Sequence, residues 1–347
     1  MANQKEWKDI IMGNERKVFK TIEMHTCGEP LRIITDGLPE LEGSNILEKR
    51  KFFADHYDPL RKALMFEPRG HADMYGAVLT KAHSDDADFG VFFMHNEGYS
   101  TMCGHAIIAL TKYVIETGYI KKDGNKPVLN IEVPAGKISS IARIRNGRVQ
   151  DVSFRNVPSF LLIQDETIEV KGIGRIRFDV AYGGAFYVVV DGDDLGLNLD
   201  ESDHNKLIDW GMRIKMSVIE NFRIEHPFEQ EMSFLYGTIF TGKAYDPDNW
   251  SRNVCIFAGG EVDRSPTGTG LSARAALHFS KSEMRLNQRV TIESIIGTSM
   301  DLEIKDVVEY GPYKAVIPEI SGKAFFTGKN ELWIDPDDPL REGFILR

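Results

Sequence analysis

Two short turns carry residue types that could transfer protons, and the two turns resemble each other. Residues 102–105 read Met-Cys-Gly-His, and residues 266–269 read Pro-Thr-Gly-Thr. Each turn follows an apolar run and opens a stretch rich in alanine. The alignment sets the thiol of Cys103 in one half against the hydroxyl of Thr267 in the other. Two related half-sites with different reactive groups favour acid–base chemistry on a small molecule held between two lobes.

Cys103 stands directly before a stretch, residues 105–116, that is apolar on nearly every side. Such a pattern predicts a buried helix. The free N–H groups and the dipole at a helix N-terminus favour an anion, so we expect this thiol to titrate below the ordinary pKa of about 8.5. A thiolate there could act as a base or as a nucleophile. The alternative is a small buried hydrophobic side chain, which is what most intracellular cysteines are.

The backbone that follows each reactive side chain is a candidate for binding a carboxylate. Glycine lets a backbone approach a ligand closely, and Gly104 and Gly268 occupy equivalent positions. Together with His105 and Thr269 they could offer four N–H groups to an anion. Either glycine alone could be an ordinary turn residue. We expect His105 to contribute its backbone N–H rather than its ring as a base.

Asp263 and Thr267 complete the candidate site. Asp263 could accept a hydrogen bond from a substrate ammonium or ring N–H, or it could cap a turn. Thr267 can donate a hydrogen bond, but an alcohol cannot match a thiolate as a base near neutral pH, which disfavours a symmetric two-base racemase. Cys255 lies among apolar residues and is predicted to be core. The polar clusters 25–30, which contains Cys27, and 69–71 could line a cleft or form tight turns.

Composition restricts the class of protein. The chain has 347 residues, enough for about two domains, and a formal net charge of −10, which argues against a nucleic-acid groove. No apolar stretch is long enough to cross a bilayer. The first twenty residues lack the apolar core of a signal peptide, so we expect a cytoplasmic protein. Three cysteines without ligand spacing predict neither a disulfide framework nor a metal site.

Short apolar runs separated by turns predict strands in both halves. The Asn-Gly pair at 146–147 predicts a hairpin. No linker separates the halves, so we expect packed lobes. The predicted helices cover residues 45–56, 105–116, 200–220 and 271–279, and a continuation of the first past Asp58-Pro59 stays open. The predicted strands cover residues 19–24, 31–35, 74–79, 89–94, 129–133, 137–143, 149–154, 176–180, 186–190, 233–240, 254–257, 290–294, 301–305, 314–318 and 331–334.

These motifs resemble those of the proline racemase family over nearly the whole chain. The resemblance is carried by residues 102–105 and 263–270, with further similar segments at 25–32, 68–76 and 182–186. It implies an α/β (α+β) fold like that of diaminopimelate epimerase. That fold has two pseudo-symmetric lobes, each a curved sheet around a central helix, with the site in the cleft. We place the Cys103 lobe at residues 1–158 plus 323–347 and the Thr267 lobe at residues 159–322.

The same resemblance implies a reaction. Racemases and epimerases of this family carry cysteine in both half-sites, whereas a chain with threonine at the second resembles members that dehydrate trans-3-hydroxy-L-proline. It implies that Cys103 is the base, that no cofactor is needed, and that the chain is a homodimer acting on a hydroxyproline. Its implied substrate-binding residues are Gly104, His105, Gly268 and Thr269 for the carboxylate and Asp263 for the ring nitrogen. Two alternatives stay open: an isomerase of proline or 4-hydroxyproline, and a non-catalytic amino-acid-binding protein.

Overall fold

A computed structural model describes residues 15–346, and every structural statement below concerns that range. The expectation about a signal peptide falls mostly on residues outside it. The helices are α1 (Ile46–Met65), α2 (Gly104–Glu116), α3 (His204–Asn221) and α4 (Gly268–Ser280). The strands of the first half are β1 (Lys17–Thr26), β2 (Glu29–Asp36), β3 (Tyr75–Thr80), β4 (Phe89–His95), β5 (Tyr99–Ser100), β6 (Val128–Val133), β7 (Gly136–Arg145) and β8 (Arg148–Arg155).

The later strands repeat this plan. They are β9 (Phe160–Val170), β10 (Gly174–Tyr182), β11 (Phe186–Asp191), β12 (Leu235–Gly242), β13 (Ser251–Phe257), β14 (Glu261–Val262), β15 (Arg289–Glu293), β16 (Ser299–Tyr310), β17 (Tyr313–Gly322) and β18 (Ala324–Ile334). In each half one long helix connects the two strands of a parallel pair, α1 between β2 and β3 and α3 between β11 and β12. Parallel neighbours need such a crossover because their ends lie far apart.

Strand pairing follows one continuous order with two matching ends. The order runs β18-β1-β2-β3-β4-β6-β7-β8 and then β17-β16-β15-β13-β12-β11-β10-β9. Read outward from the β8–β17 junction, the parallel pairs fall at the same places on both sides. This two-fold α/β plan confirms the predicted fold class. It also shows that the sheets of the two halves are joined by backbone hydrogen bonds at β8–β17.

Two short helices form the centre of the molecule, as the family resemblance implies. Both α2 and α4 have 13 residues and begin with glycine. Their inward-facing side chains are buried, and α2 packs against β8 while α4 packs against β17. The sequence placed the start of the second helix three residues late, at residue 271. The Gly-Thr-Gly sequence at 268–270 has low helix propensity, so tertiary packing decides the boundary there.

The first helix shows the continuation that the sequence left open, whereas some strands differ from the sequence expectation. The helix continues past Pro59 to Met65, with a local break at Tyr57, whose φ is −131°. Strand β9 was not predicted, because its middle is polar and exposed and shows no apolar alternation. Strand β18 begins at Ala324 rather than residue 331 for the same reason. The Asn-Gly hairpin is confirmed, with positive φ at both residues between β7 and β8.

The proposed lobe boundaries at 158/159 and 322/323 remain a prediction. Strand pairing supports these boundaries, because β18 pairs with β1 of the Cys103 lobe and β9 pairs with β10 of the Thr267 lobe. Within residues 15–346 no helix is both long and apolar enough to span a membrane.

Candidate active site

The N-termini of α2 and α4 meet at their first residues. A Cβ atom added to Gly104 would lie 2.8 Å from the Cα of Gly268, and one added to Gly268 would lie 2.9 Å from the Cα of Gly104. The ring of Phe154, at the β8–β17 junction, packs against both. Only glycine fits at either position. The first N–H groups of both helices, which have no acceptor within their own helix, therefore converge on one region.

A small cavity lies at this meeting point. Every site residue predicted from the sequence lines it: Cys103, Gly104, His105, Asp263, Thr267, Gly268 and Thr269. The two reactive side chains, 164 positions apart in the chain, thus face one cavity from the two halves. The roles assigned to these residues stay predictions.

Cys103 precedes the first residue of α2 and is almost fully buried. Our expectation that its pKa is lowered was wrong. Burial raises the pKa of the thiol well above its ordinary value, and the nearby carboxyls of Asp263 and Glu29 raise it further. The N–H of Ala106 and the hydroxyl of Tyr75 act in the opposite direction but do not compensate. The sequence indicated the favourable helix terminus and gave no measure of the desolvation that opposes it.

The ring of His105 lies against this thiol. Its Nδ1 is 3.1 Å from the Sγ of Cys103, and the ring meets that of Tyr75 edge-on at 4.9 Å between centroids. Burial lowers the pKa of His105 to about 3, so the ring is neutral at physiological pH. Thr26 donates a hydrogen bond to the carbonyl of His105 at 2.8 Å and fixes the start of the helix. A neutral ring can exchange a hydrogen bond with the sulfur but supplies no positive charge.

Thr267 occupies the equivalent position before α4, with a strained backbone. Its φ is +66° and ψ is 93°, a conformation that β-branched residues avoid. Its N–H donates to the Oγ of Ser265 at 3.1 Å, which helps to hold this turn. Strain of this kind persists where surrounding structure fixes the chain, and it often accompanies a functional site. Thr267 lines the same cavity as Cys103.

Two buried carboxyls belong to the cavity, one from each half. Asp263 follows β14 and accepts the N–H of Ser265 at 2.8 Å. Glu29, the first residue of β2, is fully buried and accepts the N–H of Arg264 at 2.8 Å. Burial raises the pKa of both carboxyls. From the sequence, Glu29 is only one member of the polar cluster 25–30, and the available signal was an acidic residue at the start of an apolar strand.

Other cavity residues were missed because they come singly from distant strands. Tyr75, Tyr187 and Tyr236 present buried hydroxyls, and that of Tyr187 lies 2.7 Å from the Oγ1 of Thr269. Cys255 is fully buried, as expected of a core residue, yet it also lines the cavity beside Thr267. The prediction that Cys255 is buried is therefore confirmed, but the sequence did not indicate that it also lines the cavity.

The remaining sequence candidates lie outside the cavity. Cys27 has a φ of +54°, and its thiol donates to the carbonyl of Ser299 at 3.3 Å, so it forms a tight turn. Arg69 donates to the carbonyl of Ala63 at 2.7 Å and holds the end of α1. Among residues 15–346, no group of three or more His, Cys, Asp or Glu side chains is placed to hold a metal ion.

Fold and cavity together define a two-lobed α/β protein whose pseudo-symmetric halves contribute to one buried site. The family described as "Proline racemase" matches residues 21–345. A protein of Colwellia psychrerythraea named trans-3-hydroxy-L-proline dehydratase is 49% identical over 99% of this chain and 96% of its own length. The human protein of the same name is 42% identical over 95% of each chain. This chain belongs to the proline racemase family.

Solved structures agree with this assignment. A hydroxyproline epimerase from Agrobacterium vitis, crystallised with trans-4-hydroxy-L-proline, superposes with a TM-score of 0.89 at 29% identity over 95% of this chain and 96% of that one. A phenazine-biosynthesis protein of the PhzF family from Bacillus anthracis matches with a TM-score of 0.61 at 14% identity over 91% of this chain and 99% of that one. The second similarity concerns the fold alone.

Proposed function

We propose that this chain is a trans-3-hydroxy-L-proline dehydratase, which eliminates water to give Δ1-pyrroline-2-carboxylate without a cofactor. The observation that carries the proposal is the pairing of the Cys103 thiol with the Thr267 alcohol in one cavity. Relatives of that name at 49% and 42% identity over at least 95% of this chain support it.

Substrate stereochemistry explains why one thiol suffices. In the trans isomer the C3 hydroxyl lies opposite the carboxylate, and therefore on the same ring face as the α-hydrogen. A single residue on that face can remove the hydrogen and then protonate the departing hydroxyl. Cys103 performs both steps, and the enamine product tautomerises to the Δ1 imine. Thr267, on the other face, packs and donates a hydrogen bond but does not return a proton to the α-carbon.

The raised pKa of the Cys103 thiol connects base formation to substrate binding. In the free protein, burial and two nearby carboxyls oppose the thiolate. The ammonium group of an arriving amino acid, placed beside Asp263, offsets that negative charge and lowers the pKa of the thiol. The N–H of Ala106 and the hydroxyl of Tyr75 then stabilise the anion. The base thus forms when substrate is present.

The converging helix N-termini suit the substrate carboxylate. Backbone N–H groups of Gly104, His105, Gly268 and Thr269 supply positive potential without a charged side chain, in agreement with the acidic net charge of the chain. As the α-hydrogen leaves, negative charge spreads into the carboxylate. Preorganised donors stabilise that charge in the transition state more than in the ground state.

A second candidate function, isomerisation of proline or 4-hydroxyproline, is favoured by one observation. Cys255 places a second thiol at the cavity, in the same half as Thr267. Cys255 lies within β13 rather than directly before a helix as Cys103 does, and burial raises the pKa of its thiol well above the ordinary value. Dehydration therefore remains the better-supported reaction, and a purely binding protein would have no need of the Cys103 thiol.

The decisive experiment is turnover of trans-3-hydroxy-L-proline, followed with an imine-sensitive reagent. L-proline and trans-4-hydroxy-L-proline serve as controls, with optical rotation as the readout for isomerisation. Imine formation from the 3-hydroxy substrate alone supports the proposal. A change in optical rotation without imine would establish an isomerase, and binding without turnover would establish a binding protein.

The same proposal includes the oligomeric state, the cellular location and the lobe boundaries. The chain acts as a homodimer in the cytoplasm, and its lobes divide at 158/159 and 322/323. The family resemblance supports the dimer, and the pairing of β18 with β1 supports the division. Light scattering coupled to size exclusion tests the dimer, and a mass of one chain at working concentration would refute it.

A further inference from the structure

Glu29 has an unusual environment for a carboxylate. Its side chain is completely buried. One oxygen, Oε2, accepts the backbone N–H of Arg264 at 2.8 Å, with a guanidinium nitrogen of the same residue at 3.6 Å. The other oxygen, Oε1, has no hydrogen-bond partner within the described part of the chain. Glu29 also lines the cavity that contains Cys103 and Asp263.

A buried acceptor without a donor is costly, and native proteins rarely retain one unless a ligand supplies the donor. Because Glu29 lines the cavity, a ligand bound there can supply the missing donor. Asp263, from the opposite half, presents a second carboxyl to the same space. The cavity thus has two carboxyl acceptors, one from each half.

A cyclic amino acid matches this pair of acceptors. Its ring nitrogen is a secondary ammonium with two N–H groups, and each must find an acceptor when water is removed. We infer that Glu29 accepts one N–H of the substrate ring nitrogen through Oε1 while Asp263 accepts the other. This inference rests on the proposed function, and it adds a substrate-binding residue from the Cys103 half.

The arrangement determines selectivity as well as affinity. A secondary amine with both hydrogens satisfies both carboxyls, whereas a ring in which oxygen replaces nitrogen satisfies neither and brings a lone pair against them. The two acceptors come from different halves, so a bound ammonium also links the halves directly. An alternative explanation is that Glu29 only fastens the halves together through Arg264.

Glu29→Gln separates these explanations with little change in volume. The amide oxygen of the glutamine can keep the hydrogen bond from the Arg264 N–H. Its NH₂ group then points toward the cavity, where it meets the ring N–H of the substrate, so that two donors face each other. Arg264→Ala is the matched control. It removes the guanidinium contact with Glu29 but keeps the backbone N–H and leaves Oε1 untouched.

Binding is measured by calorimetry with L-proline, which has no 3-hydroxyl and cannot be dehydrated, and with tetrahydrofuran-2-carboxylate, which has no N–H. We expect Glu29→Gln to weaken L-proline binding about tenfold or more, as for loss of a charge-assisted hydrogen bond, and to weaken the ether acid less. Arg264→Ala should change L-proline binding less than about threefold, as expected for a partly exposed ion pair.

Three results would overturn the inference: unchanged L-proline affinity in Glu29→Gln, equal loss for both ligands, or equal loss in both variants. If tetrahydrofuran-2-carboxylate binds neither the unmodified protein nor Glu29→Gln, the inference is decided by comparing the L-proline affinities of Glu29→Gln and Arg264→Ala. Unfolding midpoints identify a variant that fails to fold. If Glu29→Gln fails, Glu29→Asp replaces it: the shorter side chain withdraws the acceptor by one methylene, and the same loss of L-proline binding is expected. Failure to dehydrate trans-3-hydroxy-L-proline while L-proline still binds would refute the proposed function and leave this inference intact.

Discussion

Gly104 and Gly268 contact each other backbone to backbone, so that the first turns of two symmetry-related helices share one boundary. This contact sets how closely the two sets of N–H groups approach. It also fixes the separation between Cys103 and Thr267, since each stands one residue before its glycine. The geometry of the site therefore depends on two positions that carry no side chain.

The first prediction concerns this contact. Gly104→Ala or Gly268→Ala should lower the free energy of unfolding by about 1–3 kcal/mol through overpacking, and should abolish measurable turnover by separating the N–H groups. Gly328→Ala is the control, because a Cβ there meets nothing within 4 Å. Thermal unfolding and turnover are measured together. Normal activity in either site variant would show that the helix ends tolerate separation.

The second prediction concerns the base. Cys103→Ala should reduce dehydration of trans-3-hydroxy-L-proline to background, a loss of at least about 10²-fold for removal of a proton-transfer group. Cys255→Ala removes a thiol from the same cavity and should keep most of the activity. The comparison distinguishes loss of the base from loss of packing. Equal losses in the two variants would contradict the assignment of Cys103.

The third prediction concerns Thr267. Thr267→Cys places a thiol on the second ring face and should produce some racemase or epimerase activity on proline or a hydroxyproline, measured by optical rotation. Thr267→Ser is the control, because it keeps an alcohol without a thiol and should remain unable to isomerise. If Thr267→Cys shows no isomerisation of any proline, this position alone does not determine the reaction type.

The fourth prediction concerns pH. Because burial raises the pKa of Cys103 above its ordinary value, the thiol stays protonated in the native state while the unfolded chain ionises at about pH 8.5. The unfolded state then binds fewer protons, so the free energy of unfolding should fall as pH rises above that value. Cys103→Ala should reduce this fall. Identical pH dependence in the two proteins would show that the thiol is not shifted.

The fifth prediction concerns His105. With a pKa near 3, its ring stays neutral across the working range, so the pH–rate profile should show no step near the ordinary histidine value of about 6.5. His105→Asn keeps the backbone N–H and a polar contact to the sulfur, and should retain part of the activity. Complete loss of turnover with unchanged stability would show that the ring itself transfers protons.

Sequence alone was informative where function depends on short motifs. All seven predicted site residues lie in two local segments, and local segments fix which residues stand at a helix N-terminus. Glu29 and Tyr75 were missed as site residues because each reaches the cavity singly from a strand, and a strand residue shows no sign of its distant neighbours. The pKa of Cys103 was wrong for a related reason, since burial depends on the whole fold. Strand β9 was missed because its exposed residues have no need of apolar alternation.

The chain order of the outer strands has a practical consequence. β18 follows β17 in sequence but hydrogen-bonds to β1, with Lys17 opposite Ile334, so the first and the last strand of the described chain lie side by side. A fragment that stops near residue 158 would leave β1 with an unpaired edge and expose it to aggregation. Connecting the segment after β18 to the segment before β1, and opening the chain near residue 159, would instead make each half one uninterrupted segment. Such a circular permutant offers a direct route to producing and titrating the halves separately.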